Sequence, residues 1–324
     1  MHERVIALQS YFAENLQKNA VTGDPRELYE PMSYILSLGG KRLRPVMVLL
    51  GSELFDGTAD EALPAALAVE WFHNFSLLHD DIMDEAPLRR GQATVHEKWN
   101  ANIAILSGDA MLVKCYDFLL GLRPDVQASV MTLFNRTAIE VCEGQQLDMN
   151  FESRTDVTVD EYLHMIEYKT SVLLAAALEM GALIAGASVE DAEHLYQFGR
   201  NIGIAFQLQD DFLDVYGDQA KVGKQVAGDI LCDKKTYLWL TAEAQASEEQ
   251  RALLHSYIGV NDRDEEKISA VRDLYDTLEI PAQVRAIMDE FYELGMKHLE
   301  EVRVPSSRKA PLIGLAESLM QREH

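Results

Sequence analysis

Two segments of the chain carry one acidic pattern, Phe75-Ser-Leu-Leu-His-Asp-Asp-Ile-Met-Asp84 and Phe206-Gln-Leu-Gln-Asp-Asp-Phe-Leu-Asp214. Each holds Asp-Asp-x-x-Asp among apolar residues. On a helix turning about 100° per residue, Asp80 and Asp84 fall about 40° apart and Asp81 stays within reach. The same holds for Asp210, Asp211 and Asp214. Carboxylates so close repel, and the ordinary fate of such a cluster is a solvated helix face. The neighbours oppose that reading: Leu77, Leu78, Ile82 and Met83 surround one triplet, and Leu208, Phe212, Leu213 and Val215 the other. Carboxylates drawn toward an apolar interior require compensating cations. Magnesium suits them, because it takes one or two carboxylates and completes its shell with water and phosphate oxygens. The triplets therefore predict a phosphorylated ligand bridged through metal. Calcium is the weaker choice, since no Asp-x-Asp-x-Asp-Gly loop is present. Zinc is weaker still, because His73 and His79 lack a partner at ligand spacing.

The cations complete the pattern. Gly39-Gly-Lys-Arg-Leu-Arg-Pro45 sets three of them beside a glycine pair, just ahead of a helix that Pro45 can open. Backbone amides and a helix terminus would add to the pull on a phosphate. The Gly-x-x-x-x-Gly-Lys-Ser/Thr spacing of a Walker loop is missing. Arg89-Arg90-Gly91 follows the first triplet closely, and Lys169-Thr170, Lys224 and Lys234-Lys235-Thr236 follow later. Any one would ordinarily be a solvated cation. Together with two metal clusters they read as clamps for two diphosphates, with arginine offering bidentate contacts.

The elements that must hold these groups read as helices almost throughout. Alternating Val/Ile/Thr runs hardly occur, whereas Leu67, Trp71, Leu78 and Ile82 recur at fours and sevens between Pro64 and Asp84. Further helical readings are Arg44–Leu54, Ala101–Leu120, Val126–Asn150, Val159–Ala187, Val189–Tyr216 and Pro281–Arg303. Met1–Ala20 reads as an amphipathic helix and not a signal peptide. Ser171–Ala187, interrupted only by Glu179, is too short for a membrane span and reads as a buried core helix. Polar stretches near Gly217–Asp233 and Ala244–Glu266 read as loops or solvated helix faces. No Ser/Gly-rich linker divides the chain. The expectation is one all-α domain over residues 1–324, a bundle of ten or more helices.

Composition narrows the partners. Twenty-nine Lys and Arg against 53 Asp and Glu leave a net charge of −24, which disfavours nucleic acid and anionic membranes. With 48% apolar and 25% charged residues the chain is no disordered polymer. Cys115, Cys142 and Cys232 form an odd set without metal-ligand spacing, which points to a reducing cytoplasm.

From Tyr34 to Leu238 these motifs, in this order, resemble the trans-isoprenyl diphosphate synthases of the polyprenyl synthetase family. The resemblance implies an isoprenoid synthase fold, a helical bundle around a central cavity, and a homodimer. It implies three magnesium ions per active site, with Asp80, Asp84 and Asp210 as chief ligands and Asp81, Asp211 and Asp214 in support. It makes Lys41, Arg44 and His73 contacts to isopentenyl diphosphate, with Arg90 nearby. His73 stands where relatives have Gln or His, either of which can donate to a phosphate oxygen. Arg89, Lys169, Lys224 and Lys235 become contacts to the allylic diphosphate (dimethylallyl, geranyl or farnesyl). Thr170 and Gln207 resemble polar groups near the developing cation, and Gln145 and Asp148 match a further polar pair.

The implied reaction is ionisation, condensation and elimination, with the clamps and magnesium stabilising the departing diphosphate. Water must be excluded, since it would quench a carbocation. The helix before the first triplet acts as a ruler of about 5.4 Å per turn. Ser76 is too small to block a growing tail, whereas Phe75 and, a turn further, Phe72 are large. Related synthases that make short products have aromatics at both the fourth and fifth places before the motif. Here only the fifth is aromatic, and the motif lacks the two-residue insertion of many bacterial short-chain enzymes. The combination resembles geranylgeranyl diphosphate synthases, with farnesyl or longer products as alternatives. A terpene cyclase would not need the Lys41/Arg44 clamp, and a non-catalytic subunit would not keep both triplets intact.

Overall fold

The computed structural model describes residues 2–217, 227–260 and 263–321. Those residues are almost entirely helical, and the fold class is all-α. The structure divides into two compact units. One comprises the residues up to Thr137, Leu173–Tyr196 and Glu301–Leu315; the other comprises Ala138–Val172, Gln197–Glu300 and the residues from Ala316 onward.

In the first unit, α1 (Glu3–Lys18) buries Val5, Leu8, Phe12 and Leu16, one apolar stripe at helical spacing. Helices α2 (Arg26–Ser37) and α3 (Leu43–Leu54) follow, and α3 is buried from Pro45 through Ser52. Helix α4 (Ala59–Met83) is the element that matters most for the site. It starts five residues before the Pro64 start read from the sequence. Thr58 and Glu61 form a capping box: Thr58 Oγ1 accepts from the Glu61 amide at 3.3 Å, and Glu61 Oε2 accepts from the Thr58 amide at 3.1 Å. That Thr-x-x-Glu signal is legible in the sequence and sets the start. Pro64 is accommodated inside the helix. Trp71 and Phe72 are fully buried, each contributing roughly 1.5–3 kcal/mol of apolar transfer energy.

Past α4 the chain makes the only strands among the described residues, Leu88–Arg89 and Gln92–Ala93, paired antiparallel. Arg90 (φ 53°) and Gly91 (φ 74°) form the two-residue turn, and paired positive φ values match the right-handed twist of a hairpin. The short α5 (Val95–Lys98) and α6 (Ala101–Leu119) come next. Helix α7 runs Pro124–Ser153 and α8 runs Val159–Ile166.

The helix read from Val159 to Ala187 is not uniform. After α8 the residues Glu167–Ser171 form a π turn, and α9 (Val172–Ile184) resumes the ordinary pitch. As expected, α9 is a core element, with Val172 to Leu178 all buried. Helix α10 spans Val189–Tyr216, as read from its periodicity. The Pro281–Arg303 reading corresponds to Ile280–Glu301. The polar stretches contain the helices Gly228–Leu231 and Glu248–Ser256. Around α10 the second unit gathers its own core, including Tyr162, Ile166, Leu208, Trp239 and Tyr275. No helix among the described residues is long and apolar enough to cross a membrane.

Candidate active site

In the first unit, α4 sets His73, Phe75, Ser76 and the first acidic triplet along a single rod. The three carboxylates do not behave alike. Asp84 caps the helix and is exposed, Asp80 is half-buried, and Asp81 is 2% exposed. Both oxygens of Asp81 are taken by Arg89, whose Nε lies 2.9 and 2.8 Å from Oδ1 and Oδ2. The Arg89 Nη2 lies 2.7 Å from Asp81 Oδ1 and 3.6 Å from Asp80 Oδ2. Burial raises the Asp81 pKa, and the Arg89 hydrogen bonds and charge oppose the rise. Asp81 thus fixes the arginine, while Asp80 and Asp84 remain on the more open side of the helix.

The basic loop ahead of α3 has an unusual backbone. Gly39, Gly40 and Arg42 take φ values of 82°, 124° and 49°. The positive φ of Gly40 favours glycine, and a Cβ there would lie 2.8 Å from Arg90 Nη2 and push the guanidinium from its place. Arg90 Nη1 donates to the Gly39 carbonyl, and Gln9 Nε2 donates to the Lys41 carbonyl at 2.6 Å. Arg44 Nη1 lies 3.3 Å from His73 Nε2. Burial, followed by the charges of Arg44, Arg90, Arg89 and Arg42, holds the His73 pKa well below the ordinary value. His73 is therefore a neutral imidazole that accepts from Arg44. Four guanidinium groups acting on one ring make this a concentrated positive field in a chain of net charge −24. Such a field suits a diphosphate.

In the second unit, α10 divides its triplet in the same way. Asp210 is exposed, Asp214 is half-buried, and Asp211 is 5% exposed. Tyr162 donates its hydroxyl to Asp211 Oδ2, and Gln207 Nε2 donates to Oδ1 at 3.1 Å. Burial and the neighbouring Asp229 charge push the Asp211 pKa up, against the opposing charge of Lys234. Asp214 Oδ2 accepts from the Asp229 amide at 2.9 Å, which ties the end of α10 to the segment after it.

Lys169 and Thr170 sit in the π turn, a local widening often found at functional sites. Lys169 Nζ lies 2.5 Å from Asp148 Oδ2, and Thr170 Oγ1 donates to Gln207 Oε1 at 3.3 Å. The Lys-Thr pair, Asp148 and the second triplet thus form one connected polar set. Gly144 of α7 makes the approach possible, since a Cβ there would meet the Lys169 amide nitrogen at 2.2 Å. Gln145 adjoins it and is half-buried. Lys235 behaves differently from the sequence reading: its Nζ donates to the carbonyls of Phe151 and Glu152 at 2.7 and 3.2 Å. It thereby caps the end of α7. Lys234 is the member of the pair whose charge Asp211 feels. Lys224 lies outside the described residues.

The donor set fits magnesium. Among the described residues no three His, Cys, Asp or Glu side chains converge as a ready-made metal cage. Asp81 and Asp211 are the most deeply buried acid of each triplet, and Asp80, Asp84, Asp210 and Asp214 are the more accessible sources of hard carboxylate oxygen. Magnesium accepts such partial ligation when phosphate oxygens and water supply the rest.

Phe72, Phe75 and Ser76 all lie on α4, ahead of the first triplet. Phe75 and Phe72 are 8% and 1% exposed, with ring centroids 5.5 Å apart. Phe72 meets Phe134 edge-on at 5.4 Å, so the two rings of α4 are backed by α7. Ser76 Oγ donates to the His73 carbonyl at 2.9 Å and takes little room.

The sequence reading named Lys234 only as one of the basic islands and missed Tyr162, Asp229 and Glu70. Asp229 stood inside the polar stretch Gly217–Asp233, read as loop or solvated helix face. Tyr162 and Glu70 carry no motif and are identified by burial and partners alone.

Residues 25–277 match the polyprenyl synthetase family. A geranylgeranyl diphosphate synthase of Methanosarcina mazei is 39% identical over 303 residues, covering 93% of this chain and 91% of the relative. A short chain isoprenyl diphosphate synthase of Methanothermobacter thermautotrophicus is 35% identical over 313 residues, covering 96% and 95%. A crystal structure of geranylgeranyl pyrophosphate synthase matches with a TM-score of 0.95 at 42% identity, over 100% of both chains.

Proposed function

The chain belongs to the polyprenyl synthetase family, and from that premise we propose a short-chain trans-prenyltransferase that makes geranylgeranyl diphosphate. It joins isopentenyl diphosphate to an allylic diphosphate, and residues 1–324 act as one polyprenyl synthetase domain with the isoprenoid synthase fold. The observation that carries the reading is the set formed by Arg44, 3.3 Å from His73 Nε2, and Arg90, which donates to the Gly39 carbonyl of the basic loop, beside the helix that bears the first triplet. A cyclase has no use for a second diphosphate clamp of this kind.

Lys41, Arg44 and His73, with Arg90 beside them, bind the diphosphate of isopentenyl diphosphate. Arg89, held by Asp81, binds the allylic diphosphate through its guanidinium, and Lys169, Lys224 and Lys234 bind it through their ammonium groups; Lys235 supports them by fixing the end of α7. The allylic carbon–oxygen bond breaks and its electron pair leaves with the diphosphate, whose negative charge these cations stabilise. Thr170 and Gln207 orient their oxygens toward the resulting cation. The double bond of isopentenyl diphosphate then forms the new carbon–carbon bond, and a proton leaves to a diphosphate oxygen. Asp80, Asp84, Asp210 and Asp214, with Asp81 and Asp211 behind them, would hold three magnesium ions. When bound, magnesium supplies positive charge to the diphosphate oxygens.

Phe75 and Phe72 end the space for the tail, and Ser76 leaves the first turn open. That pattern, together with the similarity to geranylgeranyl diphosphate synthases, favours the geranylgeranyl product over farnesyl. We also infer a cytoplasmic homodimer. Leu106 and Val113 on α6 and Leu120 at its C-cap stand 59–63% exposed at seven-residue spacing, an apolar stripe suited to a second copy. The three described cysteines are free thiols, as a reducing compartment allows.

The deciding experiment supplies purified protein with magnesium, labelled isopentenyl diphosphate and each allylic starter, and sizes the products by mass spectrometry. Incorporation of label into a geranylgeranyl chain supports the reading. Consumption of the starter without incorporation would instead identify a cyclase.

A further inference from the structure

Glu70 is 2% exposed on α4, one turn before Asn74 and about one turn before His73. A carboxylate buried that deeply needs a committed partner. It has one in Arg42, whose Nη1 donates to Glu70 Oε1, with the two side chains 11% and 3% exposed. Arg42 Nη2 also donates to the Leu36 carbonyl at 2.5 Å. Asn74, fully buried, donates through Nδ2 to Glu70 Oε1 at 2.9 Å and to the Glu70 carbonyl at 2.8 Å. The Glu70 carboxylate is thus fixed from its own helix as well as by the arginine.

Arg42 is in turn a strained residue. It takes left-handed backbone angles, φ 49° and ψ 40°, immediately before α3, and a side chain bearing a Cβ resists that region. Lys41 precedes it and Arg44 follows two residues later. The orientation of both depends on how the backbone turns at Arg42, and that turn is held by the two hydrogen bonds of its guanidinium.

We propose that Glu70 is a positioning residue, which anchors Arg42 in its left-handed turn and so aims Lys41 and Arg44 at the diphosphate of isopentenyl diphosphate. The assignment rests on the functional reading above for the identity of the ligand. It makes Arg42, despite its charge and its place in the basic motif, a backbone anchor and not a ligand to phosphate. Because Glu70, His73 and Asp80 share one helix, the anchor also sets the loop relative to the imidazole that Arg44 meets.

Two charge-conserving variants test it, Glu70→Asp and Arg42→Lys. The first withdraws the carboxylate by one methylene. The second keeps a cation that cannot span Glu70 and the Leu36 carbonyl as a guanidinium does. Calorimetric binding of isopentenyl diphosphate is measured without turnover, beside binding of dimethylallyl diphosphate with magnesium and the melting temperature of each variant. Both variants should bind isopentenyl diphosphate about tenfold more weakly, with dimethylallyl diphosphate affinity within twofold of wild type. The double variant should be no worse than the poorer single one, because both changes release the same turn. Wild-type affinity in both variants overturns the proposal. Equal weakening of both ligands, in step with a lowered melting temperature, overturns it too, because that is general destabilisation. Failure of the wild-type protein itself to bind isopentenyl diphosphate would instead sink the functional reading, and the inference with it.

Discussion

Arg89 Nε bridges the two carboxylate oxygens of Asp81, at 2.9 and 2.8 Å, so the middle acid of the first triplet holds a cation of the protein. Asp211 is engaged comparably by Tyr162 and Gln207. Each triplet therefore has one deeply buried inner carboxylate, held on both oxygens, and an outer pair that is more accessible. Replacing an outer acid, Asp80→Ala or Asp210→Ala, should lower kcat by about 100- to 1000-fold at saturating magnesium. Asp81→Asn should act mainly by loosening Arg89, seen as a raised KM for the allylic substrate. Steady-state kinetics at several magnesium concentrations separates these outcomes, and near-normal turnover in either outer variant would defeat the metal assignment.

Product length provides a second check. Phe75→Ala removes the ring nearer the triplet and leaves Phe72 backed by Phe134. The variant should make longer chains than the wild type, visible as a shift in product mass. Unchanged length would remove Phe75 from the ruler.

The adjacent lysines differ in what they touch. Lys234→Ala removes the charge that Asp211 feels and should cost about 10- to 100-fold in kcat/KM for the allylic diphosphate, the worth of a charge-assisted hydrogen bond. Lys235→Ala releases the carbonyls of Phe151 and Glu152 and should mainly lower the melting temperature. Kinetics and thermal denaturation on the two variants should give opposite rankings.

Stability has its own pH signature. Glu179 on α9 is mostly buried, 3.8 Å from Arg136 at its nearest, and burial pushes its pKa from 4.5 up to about 7. Between those values the folded state keeps a proton that the unfolded chain has lost. Stability therefore falls as pH rises through that window, and the loss is complete above it. Glu179→Gln should leave stability at pH 5 nearly unchanged and raise it at pH 8 by on the order of 2–3 kcal/mol. Urea denaturation at the two pH values measures the difference, and an equal change at both would assign Glu179 no titrating role.

What the sequence disclosed and what it withheld have separate physical causes. The triplets, the basic loop and α10 were legible because a 3.6-residue period and fixed motif spacings are written directly in residue types. The early start of α4 was legible too, in Thr58 and Glu61, but the eye goes first to Pro64. The π turn at Glu167–Ser171 leaves no such mark, since one extra residue in a helical turn changes no residue type. Lys234 and Lys235 are indistinguishable as letters, and only their positions after Gly228–Leu231 decide which one's charge acts on Asp211. Glu70 reads as a stray acid in an apolar helix until Arg42 is found against it.

The placement of Glu70, His73, Phe75 and Asp80 on α4 has an evolutionary consequence. In the proposed function, substrate capture, product size and leaving-group chemistry fall at successive turns of one helix, yet at different letters of it. A change at Phe75 or Phe72 leaves Asp80 and His73 untouched. A lineage could therefore retune the length of its product by single substitutions while the reaction itself stays intact.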